Sequence, residues 1–287
     1  MDEAKNTIKR PIATWNCRGR LVTVDKPLVM GILNITPDSF FQGSRVSSET
    51  VAERANTMLE QGADILDIGG QSTRPGSEVV NVDDEIDRVV PAIESILKNY
   101  PKAIISIDTY YHKVAIAAVH AGALMVNDIS GGELDQEMIP AVATLGVPIV
   151  LMHMKGNPQT MMAEAIYEDV TKEVMDYFIL KTAACRMAGI RDMIIDPGFG
   201  FAKTIQHNLT LLKNLSVFKM LDLPLMAGLS RKSTIYKLLD TDAEHALNGT
   251  TVMNTLALME GANILRVHDV REAKEAIILT QKMLNLS

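Results

Sequence analysis

The sequence alternates, end to end, between short apolar runs and longer stretches whose apolar residues recur at helical spacing. The runs are Leu28–Leu33, Asp64–Ile68, Ala103–Ile107, Leu124–Val126, Pro148–Met152, Met193–Ile195, Pro224–Ala227 and Asn263–Val267, eight in all. Near-continuous Val, Ile and Leu is what parallel strands buried on both faces require. Parallel neighbours also need a long crossover, usually a helix. Helical stretches fall at about Ser48–Gln61, Val82–Asn99, Lys113–Ala121, Asp135–Leu145, Tyr167–Ala188, Thr204–Leu215, Ala243–Glu260 and Val270–Leu284. In the second, Asn81 can cap and Asp83, Asp84 and Glu85 favour the first turn. Five stretches are followed at once by glycine, at Gly62, Gly122, Gly146, Gly189 and Gly261. Glycine best takes the left-handed residue that closes a helix. Three closures read Gly-Ala, one device used three times, where helices hand back to strands.

Eight such units in 287 residues suit an α/β (β/α)8 TIM barrel, which typically takes about 250 residues. A doubly wound open sheet competes, but no G-x-G-x-x-G follows the first strand. The expected organisation is a barrel over 28–287. Residues 1–27 precede it as a short N-terminal segment, a hairpin or lid at the barrel bottom.

Hydrophobic residues make up 47% of the chain, enough for a large core. The net charge of −7 argues against a nucleic-acid partner, which calls for a basic face. It also means that any phosphate must be held by a few local cations. No apolar run approaches the roughly 18 residues of a membrane span, and Met1–Arg10 lacks the apolar core of a signal peptide. The two cysteines, Cys17 and Cys185, show no metal or disulfide spacing. These observations predict a cytoplasmic protein with no membrane contact.

In such barrels the chemistry sits in the loops after the strands. The first strand exits into Asn34-Ile35-Thr36-Pro37-Asp38-Ser39-Phe40, the second into Gly69-Gly70-Gln71-Ser72-Thr73-Arg74-Pro75-Gly76. The next four end at Asp108-Thr109, Asn127-Asp128, His153 and Asp196-Pro197-Gly198-Phe199-Gly200-Phe201. The last two reach Gly228-Leu229-Ser230-Arg231-Lys232-Ser233 and Arg266-Val267-His268-Asp269. One Asp at a strand end often just caps a helix or starts a turn. Polar groups at all eight exits point to a shared site. Asp108 and Asp196 accept, while Lys232, Arg266, Arg74 and His268 donate. That division suits a flat heterocycle with N–H and C=O edges and an anionic tail. A phosphate loop and an H-E-x-x-H zinc motif are absent, as is a G-x-S-x-G nucleophile elbow. His112, His120, His207 and His245 fall on helices or helix starts and read as surface or satisfied. His153 reads as a packed, hydrogen-bonded residue.

Met30-Gly31-Ile32-Leu33-Asn34-Ile35-Thr36-Pro37-Asp38-Ser39-Phe40 and Gly69-Gly70-Gln71-Ser72-Thr73-Arg74-Pro75-Gly76 resemble the two signatures of the dihydropteroate synthase family. The remaining strand-exit motifs follow in that family's order, so the resemblance runs from about residue 28 to the end. It implies condensation of 6-hydroxymethyl-7,8-dihydropterin diphosphate with 4-aminobenzoate, giving 7,8-dihydropteroate and diphosphate, a transferase step of folate synthesis and a sulfonamide target. By that resemblance Asp108, Asn127, Asp196 and Lys232 hold the pterin. Arg266, His268 and Asn34 hold the diphosphate, and Asn34 also ligates Mg²⁺. Thr73, Arg74, Pro75, Phe40, Lys232 and Ser233 shape the 4-aminobenzoate site, and Asp38 sits in the first loop. A homodimer is implied as well.

The chain departs from the family at Phe41-Gln42-Gly43-Ser44-Arg45, at Gln71 where Glu is usual, and at Tyr110-Tyr111-His112. Two rivals share the pterin contacts. A methyltransferase acting on methyltetrahydrofolate needs no diphosphate clamp, which Asn34, Arg266 and His268 here supply. A non-catalytic pterin-binding relative predicts binding without turnover.

Overall fold

A computed structural model of the chain describes residues 13–35, 48–71 and 79–285. It begins with an antiparallel hairpin, β1 (Ala13–Cys17) and β2 (Arg20–Val24). The two-residue turn puts Arg18 at φ +54° and Gly19 at φ +89°, the left-handed pair that a tight hairpin needs. Asn16 Oδ1 accepts the Gly19 amide at 2.6 Å.

Eight parallel strands follow: β3 (Leu28–Asn34), β4 (Ile65–Gly69), β5 (Ile105–Asp108), β6 (Met125–Asp128), β7 (Ile149–Met152), β8 (Met193–Asp196), β9 (Met226–Ala227) and β10 (Ile264–Val267). Each pairs with the next from β3 to β8, β10 lies between β3 and β9, and a parallel bridge between Ile195 and Leu225 joins β8 to β9. The sheet thus closes as the (β/α)8 barrel that the alternation predicts.

The connecting helices are α1 (Ser48–Glu60), α2 (Val82–Asn99), α3 (His112–Ala121), α4 (Met138–Leu145), α5 (Val170–Met187), α6 (Ile205–Lys213), α7 (Ser233–Leu238), α8 (Leu247–Met259) and α9 (Val270–Leu284). Asn81 caps α2 by accepting the Asp84 amide at 2.9 Å. After α1, α3, α5 and α8, the glycine amide bonds three residues back and the following amide five residues back. This is the Schellman closure, with Gly62, Gly122, Gly189 and Gly261 at φ between +96° and +117°. The Gly-Ala device is therefore real, and Gly189-Ile190 is a fourth copy.

Two differences from the sequence reading stand out. Residues 233–238 form the short α7, which lies in none of the helical stretches read from the sequence. The helix expected from Ala243 begins only at Leu247, because Asp242 Oδ1 binds the Glu244 and His245 amides and holds a turn there. A 3-10 segment, Leu215–Leu221, also follows α6.

Side chains alternate across each strand with period two. Outward residues such as Leu66, Ile68, Ile105, Ile107, Leu151 and Ile195 join the helices in one buried core. Inward residues form two chemically distinct layers. The lower holds Leu28, Met30, Ile65, Met125, Val150, Ile194, Met226 and Ile264, and Trp15, Cys17 and Val24 of the hairpin pack against it. Asn16 N donates to Asp192 Oδ2 at 2.7 Å and Arg18 to the Val119 carbonyl at 2.8 Å, pinning the hairpin under the barrel. Trp15 is only 2% exposed, so truncating it to alanine would cost about 3–5 kcal/mol. Two residues further along the strands the inward positions turn polar. Among the described residues no helix is long and apolar enough to cross a membrane.

Candidate active site

The polar layer arises by counting in twos from the apolar one. Ile65 leads to Asp67, Met125 to Asn127, Ile194 to Asp196 and Ile264 to Arg266. Across β3, β4, β5 and β6, Asn34 pairs with Gly69, Gly69 with Asp108 and Asp108 with Asn127. A methyl at Gly69 would lie 3.5 Å from Asn34 Oδ1 and 3.6 Å from Asp108 Cβ. The absence of a side chain there keeps the space between those two groups open.

Arg266 is the electrostatic centre. Its Nε meets Asp67 Oδ2 at 2.6 Å, and one terminal nitrogen meets Asp108 Oδ2. Asn127 Nδ2 also donates to Asp67 Oδ2, at 2.9 Å. Burial works against the Arg266 charge, but Asp67 and Asp108 outweigh it and hold its pKa above the ordinary value. Burial raises Asp108, Arg266 pulls it down, and Asp67 raises it again. Asp108 Oδ1, Asp67 Oδ1 and Ser106 Oγ are buried and have no hydrogen-bond partner among the described residues. Buried acceptors of this kind are satisfied by a ligand's N–H groups or by water.

Asp196 and Lys232 face one another across Gly228. A methyl at that glycine would lie 3.6 Å from both Asp196 Oδ2 and Lys232 Nζ. Asp196 Oδ1 accepts the Gly198 amide at 2.8 Å. Burial raises the Asp196 pKa, and Lys232 most strongly opposes this. Burial brings Lys232 down to about 8, against the pull of Asp196. Lys232 Nζ donates to the Phe199 carbonyl and lies 4.7 Å from the centre of the Phe201 ring. Its conformation is fixed from both sides of the chain. Arg231 holds φ +53° while its guanidinium binds Asp269 through two nitrogens, at 2.9 and 2.8 Å, and the Ala243 and Glu244 carbonyls. Ser233 opens α7 beside it.

His268 joins the same rim, with Nδ1 3.0 Å from Ser230 Oγ. Asn34, Asp108, Asn127, Asp196, Lys232, Ser233, Arg266 and His268 thus stand where the strand exits place them, all at the carboxyl end of the barrel. Asp38, Phe40, Thr73, Arg74 and Pro75, and also Arg45, lie outside the described residues.

Several groups escaped the sequence reading. Asp67 sits inside an apolar run, and only the inward register reveals it. Lys203, buried, bonds His153 Nδ1 at 3.0 Å. His153 itself is packed and hydrogen-bonded as expected, and burial, helped by Lys203, lowers it to about 2. Asp128, next to Asn127, turns outward and binds Ser130 and the Gly132 amide. Gln71 Nε2 donates to Glu85 and Gln71 Oε1 accepts from Tyr110, so two of the family departures meet in one buried network. Among the described residues no three His, Cys, Asp or Glu side chains gather as a metal cage.

Comparison with known proteins agrees with this geometry. The sequence pattern of the pterin binding enzymes matches residues 30–268. Dihydropteroate synthase of Escherichia coli (strain K12) is 42% identical over 271 residues, covering 93% of this chain and 95% of that protein. Xanthomonas albilineans dihydropteroate synthase with 4-aminobenzoic acid superposes with a TM-score of 0.90 at 40% identity, over 96% of this chain and all of that one. The same enzyme in complex with 7,8-dihydropteroate gives 0.86 at 38% identity and the same coverage.

Proposed function

We propose the reaction from one premise: the chain belongs to the dihydropteroate synthases, within the pterin binding enzymes. It is a transferase that joins 4-aminobenzoate to 6-hydroxymethyl-7,8-dihydropterin diphosphate, yielding 7,8-dihydropteroate and diphosphate. The observation that carries this reading is the register that brings Asn34, Asp108 and Asn127, from β3, β5 and β6, level with one another beside the Arg266 cation of β10.

Asp108, Asn127 and Asp196 accept from and donate to the pterin's amide and amino edge, and Lys232 donates to its oxygen or ring nitrogen. Asn34, Arg266 and His268 face the diphosphate. The bond between the exocyclic carbon and the diphosphate oxygen breaks first, and the electron pair leaves with the diphosphate. Asp108 and Asp196 stabilise the resulting pterin cation, more effectively in a buried site than in water. The arylamine nitrogen then attacks the exocyclic carbon and releases a proton. The family resemblance assigns Thr73, Arg74, Pro75, Phe40, Lys232 and Ser233 to 4-aminobenzoate and Asp38 to the first loop of the scheme.

Mg²⁺ fits this donor set only as a companion of the diphosphate. The amide oxygen of Asn34 is a hard ligand, and no carboxylate cage competes among the described residues. Mg²⁺ commonly keeps waters and binds through few protein ligands plus substrate phosphates. Bound there, it would neutralise charge on the departing diphosphate.

The chain also works as a homodimer in the cytoplasm in this reading. Val252, Leu256 and Met259 are exposed at helical spacing on α8, and the adjoining α9 exposes Ile278 and Leu279. Cys17 and Cys185 are buried free thiols, in keeping with a reducing compartment. Sedimentation of wild type and Leu256→Glu tests the dimer, and an unchanged monomeric mass for both would refute it.

The activity assay is diphosphate release, with 7,8-dihydropteroate detected by mass, while each substrate is omitted in turn. Release that needs 4-aminobenzoate and the pterin diphosphate together supports the synthase. Methyl transfer from methyltetrahydrofolate, or pterin binding with no turnover, would replace it by one of the two rivals.

A further inference from the structure

Lys203 follows the turn after β8, is 2% exposed and has no part in the scheme above. Its Nζ lies 3.0 Å from His153 Nδ1, 3.2 Å from the His153 carbonyl and 3.0 Å from the Phe201 carbonyl. The partners are one ring nitrogen and two carbonyl oxygens, and none of them is a carboxylate. His153 stands at the exit of β7 and Phe201 in the turn after β8, so one amine ties two strand exits together.

That turn is closed tightly. His153 N donates to the Asp196 carbonyl at 3.0 Å. Gly198 holds φ +72°, and a methyl there would fall 2.1 Å from the His153 carbonyl oxygen. Lys232 is seated on the same turn, with its Nζ on the Phe199 carbonyl and near the Phe201 ring. A methyl at Gly200 would come within 3.0 Å of Lys232 Cδ. Lys203 thus holds the backbone whose groups seat Lys232.

A lysine in this position is costly to the fold. Burial drives its pKa well below the ordinary value, Asp196 opposes this, and Lys232 and Lys155 add to it. An apolar side chain of similar length would avoid that desolvation, so packing alone does not account for an amine here.

We propose that Lys203 is a positioning residue for the transfer reaction: by binding His153 and the Phe201 carbonyl it fixes the 196–201 turn that seats Lys232. It touches no substrate and acts through the backbone. The inference rests on the role given to Lys232 above.

The test compares Lys203→Met, Lys203→Gln and Lys232→Ala with wild type. Lys203→Met is expected to fold, because relief of the lysine's desolvation offsets the polar groups it leaves unpaired, yet to lose roughly 10- to 100-fold in kcat, as misplacement near a reacting centre does. KM for the pterin diphosphate stays within about twofold, the signature of a lost transition-state interaction. The alkaline limb of kcat/KM moves to higher pH as Lys232 gains water. Hydrogen exchange rises in the peptide spanning 197–203. Lys203→Gln, which keeps amide donors, recovers part of kcat. Wild-type kcat and an unmoved alkaline limb in Lys203→Met, with Lys232→Ala inactive, overturn this inference alone. Failure of both Lys203 variants to fold makes the lysine a determinant of the fold and also overturns it. An active Lys232→Ala would remove the premise, and the inference with it.

Discussion

Replacing Asp67 by alanine removes one of the two carboxylates that hold Arg266. The carboxylate is wholly buried and the guanidinium side chain is 18% exposed, with 2.6 Å between Nε and Oδ2. Removing one partner of a buried ion pair costs about 3–5 kcal/mol, because the other charge is left uncompensated. Arg266 keeps Asp108, so the lower end applies, about 3 kcal/mol. At about 2–4 °C per kcal/mol for a chain of this size, the melting temperature falls by about 6–12 °C. Trp15, the only tryptophan, reports unfolding by its fluorescence from under the barrel. Asp67→Asn keeps a neutral acceptor of the same shape. It loses about half as much, since hydrogen bonds to charged groups are worth roughly twice neutral ones. If the lost charge-assisted bond, about 1.5–3 kcal/mol, is expressed in the transition state, kcat/KM of Asp67→Ala falls by about 10- to 100-fold. A melting point within about 2 °C of wild type, together with unchanged kcat/KM, would refute the claim that Asp67 anchors Arg266.

Lys232 makes activity and stability move in opposite directions with pH. Its folded pKa, about 8, lies below the 10.5 of an unburied lysine, so between these values the unfolded chain binds more protons and this group's contribution to stability rises with pH. In the proposed scheme activity needs the ammonium, so it should fall over the same interval. Wild type should therefore gain melting temperature relative to Lys232→Met from pH 8 upward while kcat/KM declines, and parallel trends would count against the assignment. Gly200→Ala puts a methyl 3.0 Å from Lys232 Cδ at a residue with φ +81°. It should lose both activity and about 1–2 kcal/mol of stability, measured by steady-state kinetics and denaturant titration. Gly122→Ala also meets a left-handed φ, with Leu97 Cδ1 2.4 Å from the new methyl. Because it lies at the opposite end of the barrel, it should lower stability by about 2–4 kcal/mol and leave kcat untouched in the surviving folded enzyme.

The order of the barrel strands and the eight polar exits were legible because each signal is local. A short apolar run followed by Asn34, Asp108, Asn127 or Asp196 carries its meaning within a few residues, and so does a helix closed by Gly122-Ala123. Asp67 was not legible in this way. In Ile65–Gly69 every residue is buried, and nothing in the run itself says which side the aspartate faces. Its role follows only once Arg266, 199 positions away, comes within reach. Lys203 failed for a similar reason, since a lysine next to a turn ordinarily lies in solvent. The late start of α8 reflects a side-chain turn at Asp242, which competes with helix on equal local terms. The Gln71–Tyr110 contact joins two departures that look unrelated in sequence.

The hairpin under the barrel has a further consequence. Trp15, Cys17 and Val24 leave the lower interior filled with apolar side chains, so among the described residues the polar layer faces one mouth, at the strand exits. Both reactants must arrive through that mouth, and both products must leave by it. Whichever molecule lies nearest the opening blocks those beneath it. The sequence of arrivals and departures is then a matter of queueing, and it should appear in product-inhibition patterns as one compulsory order.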